Sequence, residues 1–106
     1  MKLDAGPLVA ASYPESIRPD DTTPLLGSRL AEIGGQLIRN TLPKLLEDNF
    51  TTSEQNEGEA TYCRIIKKDE GRVRWTEETA REIERKLRAF TPWPGIFTFY
   101  SINRVS

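Results

Sequence analysis

Residues 76–102 read TEETAREIERKLRAFTPWPGIFTFYSI, and three kinds of local order follow one another in them. Ala80, Ile83, Leu87 and Phe90 recur at steps of three and four, which places one apolar stripe on a helix. Thr76 is the expected N-cap, because its hydroxyl can accept from a backbone N–H of the first turn and Glu77 and Glu78 suit the positive helix end. Glu77–Arg81, Glu82–Lys86 and Glu84–Arg88 are favourable pairs one turn apart. Pro92-Trp93-Pro94-Gly95 stops the helix, since proline can neither donate to it nor continue it. Ile96 to Ile102 is an apolar and aromatic run of β character.

Working outward, Thr61–Ile66 reads as a strand, Lys67-Lys68-Asp69-Glu70-Gly71 as a polar turn and Arg72–Trp75 as the strand returning from it, so a hairpin is expected. Asn49–Ala60 has almost no apolar content and reads as a surface linker. Before it, Leu26, Leu30, Ile33, Leu37 and Ile38 form a second helical stripe that Leu42, Leu45 and Leu46 continue. Asp21 or Thr22 is the expected cap of that helix, with Pro24 in its first turn. Gly34-Gly35 weakens it by about 1 kcal/mol per glycine relative to alanine. Pro43 removes a further donor, so a kink or two abutting helices ending near Asp48 are predicted. Pro14–Asp21 is a loop. Leu3–Tyr13 reads as a strand, a tight turn at Gly6-Pro7 and a second extended piece.

The chain has 106 residues, 37% hydrophobic and 29% charged, which fits one small domain. No apolar run approaches the ~20 residues that a spanning helix needs, so no membrane association is expected. Asp4 stands where a signal peptide would begin its apolar region, which argues against secretion. A single cysteine, Cys63, excludes an internal disulfide framework, fits a reducing compartment and reads as a small core residue. There is no histidine, so no imidazole base or His-containing metal site is completed within these residues, and no metal site is expected. Net charge is −1, but it is divided unevenly. Residues 1–61 hold five basic and ten acidic side chains, and residues 62–106 hold ten basic and six acidic. Such asymmetry suits two functional halves, or a basic face for a polyanion, or ordinary surface scatter.

Three candidate sites stand out. Asp4 puts a carboxylate at an expected strand end, where ligands gather in α/β sheets; the plainer reading is an aspartate that caps its own turn. Arg64, Lys67, Lys68, Arg72 and Arg74 form a basic cluster able to meet phosphates; the plainer reading is a solvated turn partly neutralised by Asp69 and Glu70. Trp93, held between two prolines, is suited to stacking on a base or to lying as the lid of a small core.

Several pieces occur in order. They are Leu3-Asp4-Ala5-Gly6-Pro7-Leu8, Asp21-Thr22, Leu30-Ala31-Glu32-Ile33-Gly34, Ala60-Thr61-Tyr62, Gly71-Arg72-Val73 with Trp75, and Arg88-Ala89-Phe90 with Pro92-Trp93-Pro94-Gly95. Together, from about residue 3 to residue 98, the chain resembles methionyl-tRNA formyltransferase. The Leu-Asp-x-Gly-Pro element is shared with other folate-dependent formyltransferases. The resemblance implies an α/β fragment: the tail of a Rossmann-like catalytic domain over residues 1–52, a linker and hairpin over 53–75, and the first helix and strand of a C-terminal barrel domain over 76–106. It implies formyl transfer from 10-formyltetrahydrofolate, as co-substrate, to the amine of initiator Met-tRNA in a bacterial-type cytoplasm.

By that resemblance Asp4 matches the family's catalytic aspartate, and Arg64, Lys67, Lys68, Arg72 and Trp93 are tRNA-contact candidates. The family's catalytic histidine, its neighbouring asparagine motif and its His-Gly-Ser loop have no counterpart in these residues. The isolated chain is therefore expected to be inactive, to bind no folate alone and to suit a complementary formyltransferase fragment as partner. Ile65 stands where the family usually has lysine, and Val73-Arg74-Trp75 where it has Ile-Asp-Trp. The tail from Phe99 departs from the family's barrel strand, which points to truncation or a change of frame. Two alternatives stay open: a non-catalytic tRNA- or protein-binding fragment, and a formyltransferase acting on another substrate.

Overall fold

Two α-helices carry most of the regular structure, α1 at Thr23–Leu46 and α2 at Ala80–Ala89, with short 3-10 turns at Glu57–Glu59 and Lys68–Gly71 between them. The computed structural model describes residues 3–101. Among these there is no β-ladder, only two isolated bridges, Leu8 with Ser53 and Arg72 with Phe97. The expected α/β character is therefore reduced to helices and two bridging contacts. No helix of the described residues is long and apolar enough to cross a membrane.

The chain divides into two compact units, one formed by Met1–Ile17 and Gly27–Arg64, the other by Arg18–Leu26 and Ile65–Ser106. α1 starts in the second unit at Thr23 and continues through the first from Gly27, running unbroken through Gly34-Gly35 and Pro43, where a kink or break was expected. A glycine pair only weakens a helix, and Pro43 lies close to its end, where few backbone bonds remain to lose. The helix closes with Asn49 N–H on the Lys44 carbonyl (2.8 Å) and Asp48 N–H on that of Leu45 (3.2 Å). Asp48 takes the left-handed conformation (φ 55°) that such a double-bonded end requires. Arg29 holds the preceding loop to α1 through Glu15 (2.6 Å) and the Ser16 carbonyl (3.1 Å). No residue of α1 is buried, and Leu30, Ile38, Leu42, Leu45 and Leu46 are exposed along its stripe.

The N-terminal segment forms a turn and one bridge rather than two strands: Leu8 and Ser53 exchange both backbone hydrogen bonds, at 2.8 and 2.9 Å. The polar stretch read as a surface linker is exposed along its length and supplies the pairing partner, Ser53. Asn56 caps the 3-10 turn inside that stretch, its side chain accepting from Gly58 N–H at 3.0 Å.

Residues 61–66, of which 61–64 belong to the first unit and the rest to the second, form no strand, and the expected hairpin is absent. Arg72 pairs instead in parallel with Phe97: Val73 N–H donates to the Phe97 carbonyl (2.8 Å) and Phe97 N–H to that of Gly71 (2.9 Å). Parallel neighbours need a crossover between them, and α2 supplies it. The run from Ile96 therefore has a partner, though its last residue, Ile102, lies outside the described residues.

α2 begins three residues later than expected. Thr79, not Thr76, is its N-cap, and it forms a capping box with Glu82. Glu77 and Glu78 precede the helix in a turn on the Arg74 carbonyl. This moves the expected pairs: Glu77 meets Arg74 (3.2 Å) and Glu78 meets Lys86, while Glu84–Arg88 forms as expected at 2.6 Å. Of the α2 stripe, Ile83 and Phe90 are half-buried but Ala80 and Leu87 are exposed. Val73, 6% exposed, is the buried hydrophobic side chain of the described residues, and Cys63 is exposed rather than part of a core.

Candidate functional site

The segment carrying Asp4 is shaped by two attachments within the first unit. Asp4 lies in the left-handed region (φ 54°), which costs an L-residue about 1–2 kcal/mol and so needs support from its surroundings. The Gln55 carboxamide provides it, donating to the Asp4 carbonyl at 2.8 Å and to the Gly6 carbonyl at 2.7 Å. Two residues further on, the Leu8–Ser53 bridge fixes the outgoing chain. The Asp4 side chain itself is exposed.

The basic cluster is not a single patch in one unit. Arg64 belongs to the first unit, whereas Lys67, Lys68, Arg72 and Trp93 belong to the second. Lys67 precedes the Lys68–Gly71 turn, and its N–H donates to the Glu70 carboxylate at 2.8 Å. Gly71 ends that turn and is buried because it rests on the Gly95 carbonyl; a Cβ at this position would overlap that backbone oxygen. The lysine turn and the Pro-Trp-Pro-Gly loop are thereby fastened to each other. The loop is closed by Gly95 N–H on the Phe90 carbonyl (2.8 Å), with Gly95 at φ 73°, a conformation suited to glycine. Trp93 is 59% exposed at its tip.

Beside this bridge lies an open groove lined by Arg72, Arg74, Trp75, Thr98 and Phe99. The Arg72 guanidinium sits 5.1 Å above the Phe99 ring, a cation–π arrangement, and Phe99 meets Phe97 edge-on at 5.6 Å. Trp75 Nε1–H donates to Thr98 Oγ1 at 2.8 Å. The groove thus offers flat aromatic faces beside cations, a combination suited to stacked bases and phosphates. Among the described residues no cluster of three or more His, Cys, Asp or Glu is placed to hold a metal.

Ion pairs brace the second unit from behind. Lys86 reaches both Glu78 and the Arg72 carbonyl (3.2 Å). Arg88 joins Glu84 to the carbonyl of Asp21 (2.8 Å), and Thr23 Oγ1 donates to the carbonyl of Ala89 at 2.5 Å. Of the two expected caps of α1, Thr22 takes the position, its Oγ1 accepting from Leu25 N–H at 3.5 Å, while Asp21 is buried and accepts from Arg18 N–H at 2.8 Å. The Lys86 hydrogen bond holds the Glu78 carboxyl below its ordinary range. The Thr79 backbone N–H does the same for Glu82, and Arg88 for Glu84. Glu84 in turn raises Arg88.

Sequence reasoning named Asp4, the lysine turn and Trp93 as candidates; it did not single out Gln55, Ser53 and Lys86, which hold the backbone around them. Gln55 acts on residues about fifty positions away, so no local pattern marks it. Gly71 carried a legible sign, a glycine closing a polar turn, but its close approach to Gly95 did not.

Residues 65–106 match the family described as Formyl transferase, C-terminal domain. Across both units the chain is similar to proteins named methionyl-tRNA formyltransferase. It is 46% identical over 103 residues to that of Dehalococcoides mccartyi, covering 93% of this chain and 31% of the relative. It is 41% identical to that of Marinobacter nauticus, covering 97% and 32%, and 43% identical to that of Myxococcus xanthus, covering 91% and 30%. The chain spans about a third of the length of the curated relatives it matches.

Proposed function

We propose that this chain, a methionyl-tRNA formyltransferase by its similarity, is the part of such an enzyme that joins its catalytic domain to its tRNA-holding domain. In this reading residues 1–52 end a Rossmann-like domain, 53–75 form the connection and 76–106 begin a C-terminal barrel. The reaction served is formyl transfer from 10-formyltetrahydrofolate to initiator Met-tRNA in a bacterial-type cytoplasm. The observation that carries the reading is the 46% identity running through 93% of the chain, across both units.

In that reaction the methionyl amine attacks the formyl carbon, the donor's C–N bond breaks, and the proton that the amine loses is balanced by one taken up on the departing donor nitrogen. Asp4 supplies a carboxylate that orients the imidazole contributed by the rest of the enzyme. Lys67, Lys68, Arg72 and Trp93 meet the tRNA, with Arg64 contributing from the first unit. The α1 stripe takes the missing catalytic portion: apolar side chains recur along one face of a long helix, and two-thirds of each relative's length lies outside the match. The isolated chain then transfers no formyl group.

A chimera tests this. The matched third of the Dehalococcoides protein is replaced by this chain, and formylation of Met-tRNA is measured. Transfer well above that of the relative lacking its matched third supports the reading. A folded chimera with no transfer contradicts it and favours a non-catalytic binding role for the chain.

A further inference from the structure

We infer that Gln55 is a positioning residue for Asp4, a clamp by which the connecting segment sets the geometry of the candidate catalytic turn; this rests on the reading of Asp4 given above. A carboxamide has two N–H donors. Gln55 places both on carbonyls that flank the turn, those of Asp4 at 2.8 Å and Gly6 at 2.7 Å. The two acceptors are two residues apart, so one planar group spans the bend and opposes its opening. Ser53, two residues before Gln55, is bonded on both sides to Leu8, so the Asp4 segment is gripped at its bend and at its exit. The left-handed Asp4 backbone is the feature most in need of such a grip.

The chemistry defines which side chains serve. Glutamate has the same length but no donor, and its charge repels the two carbonyls. Asparagine is one methylene shorter and cannot span both acceptors from the same backbone position. Alanine removes the clamp and leaves the Leu8–Ser53 bridge alone.

Two measurements decide it. In the chain itself, Gln55→Ala and Gln55→Glu should each speed hydrogen exchange at the Leu8 and Ser53 amides about tenfold, the effect of losing one or two hydrogen bonds. Amides of α2 should not change. In the active chimera, Gln55→Ala should lower kcat about tenfold with KM for Met-tRNA unchanged, because a misplaced group costs rate rather than binding. An oxidised Leu8→Cys/Ser53→Cys pair, in a Cys63→Ala background, should restore kcat, since residues that exchange both hydrogen bonds lie within disulfide reach. Unchanged exchange in the chain overturns the clamp whether or not the chimera works. A kcat and KM that move together, or a lock that fails to restore rate, overturn the positioning role. Full activity in Asp4→Asn overturns the reading of Asp4 while leaving the exchange result standing.

Discussion

The two units solve the problem of a small apolar content differently. The second is tied by short hydrogen bonds and ion pairs around Val73, Gly71 and Asp21, its three buried residues among those described. Backbone comes so close to backbone at Gly71 and Gly95 that no Cβ fits between them. The first has no buried residue among those described, and Leu46, at the end of α1, is 80% exposed. An amphipathic helix without a packed face lacks the term that normally stabilises it. The contrast teaches that one unit is specified by its own contacts, while the other leaves its helical stripe exposed, the face that the reading proposed above assigns to a partner portion.

The glycines give the sharpest way to break this contrast. Gly71→Ala should destabilise the second unit by about 3 kcal/mol, the upper range for overpacking, because the atom it meets is backbone and cannot move aside. Gly34 and Gly35 meet nothing, so Gly34→Ala with Gly35→Ala should stabilise α1 by about 2 kcal/mol in total. Urea unfolding followed by circular dichroism reads both. Similar effects of the same sign would erase the distinction between the units.

The lysine turn tests what the braced unit is for. Lys67→Ala with Lys68→Ala should lower the logarithmic salt slope of tRNA binding by about 1.5 to 2 units, since each phosphate contact releases about one counterion. An unchanged slope would return these lysines to a solvated turn. The acidic side chains of residues 1–61 oppose the attraction, so overall affinity should be weak.

The smallest expected effects concern the start of α2. Thr79→Ala should cost about 1 kcal/mol of α2 stability, read as lost helicity. Glu78, Glu82 and Glu84 all titrate below their ordinary value in the folded chain. Their contribution is therefore complete above the unfolded carboxylate value of about 4.3, and it disappears as pH falls through the lower folded values. A pH titration of α2 helicity should be flat from pH 7 to about 5 and fall below about 4. A loss beginning near neutrality would assign the helix to other contacts.

How much was legible follows from the range of each interaction. Both helices were readable because three- and four-residue steps are local, and α2 stops before Pro92 for a local reason. The cap was misread although its sign was present: Thr79 has glutamate three residues on, at Glu82, whereas Thr76 has threonine there. The expected hairpin failed because Arg72 pairs across α2 with Phe97, a choice that depends on where the helix returns the chain. At the candidate site the residue types were visible but their supports were not, since Gln55 and Gly71 act on partners distant in sequence.

The central claim is that α1 presents a face to be completed while the second unit holds itself. Hydrogen exchange of the chain, alone and with the portion of the Dehalococcoides protein that precedes the match, tests it directly. Alone, amides of α1 should exchange faster than those of Val73 and Phe97; with the added portion, α1 should gain at least tenfold protection while Val73 and Phe97 change little. Protection of α1 that already equals that of the second unit in the isolated chain, or that does not rise on mixing, would contradict the account.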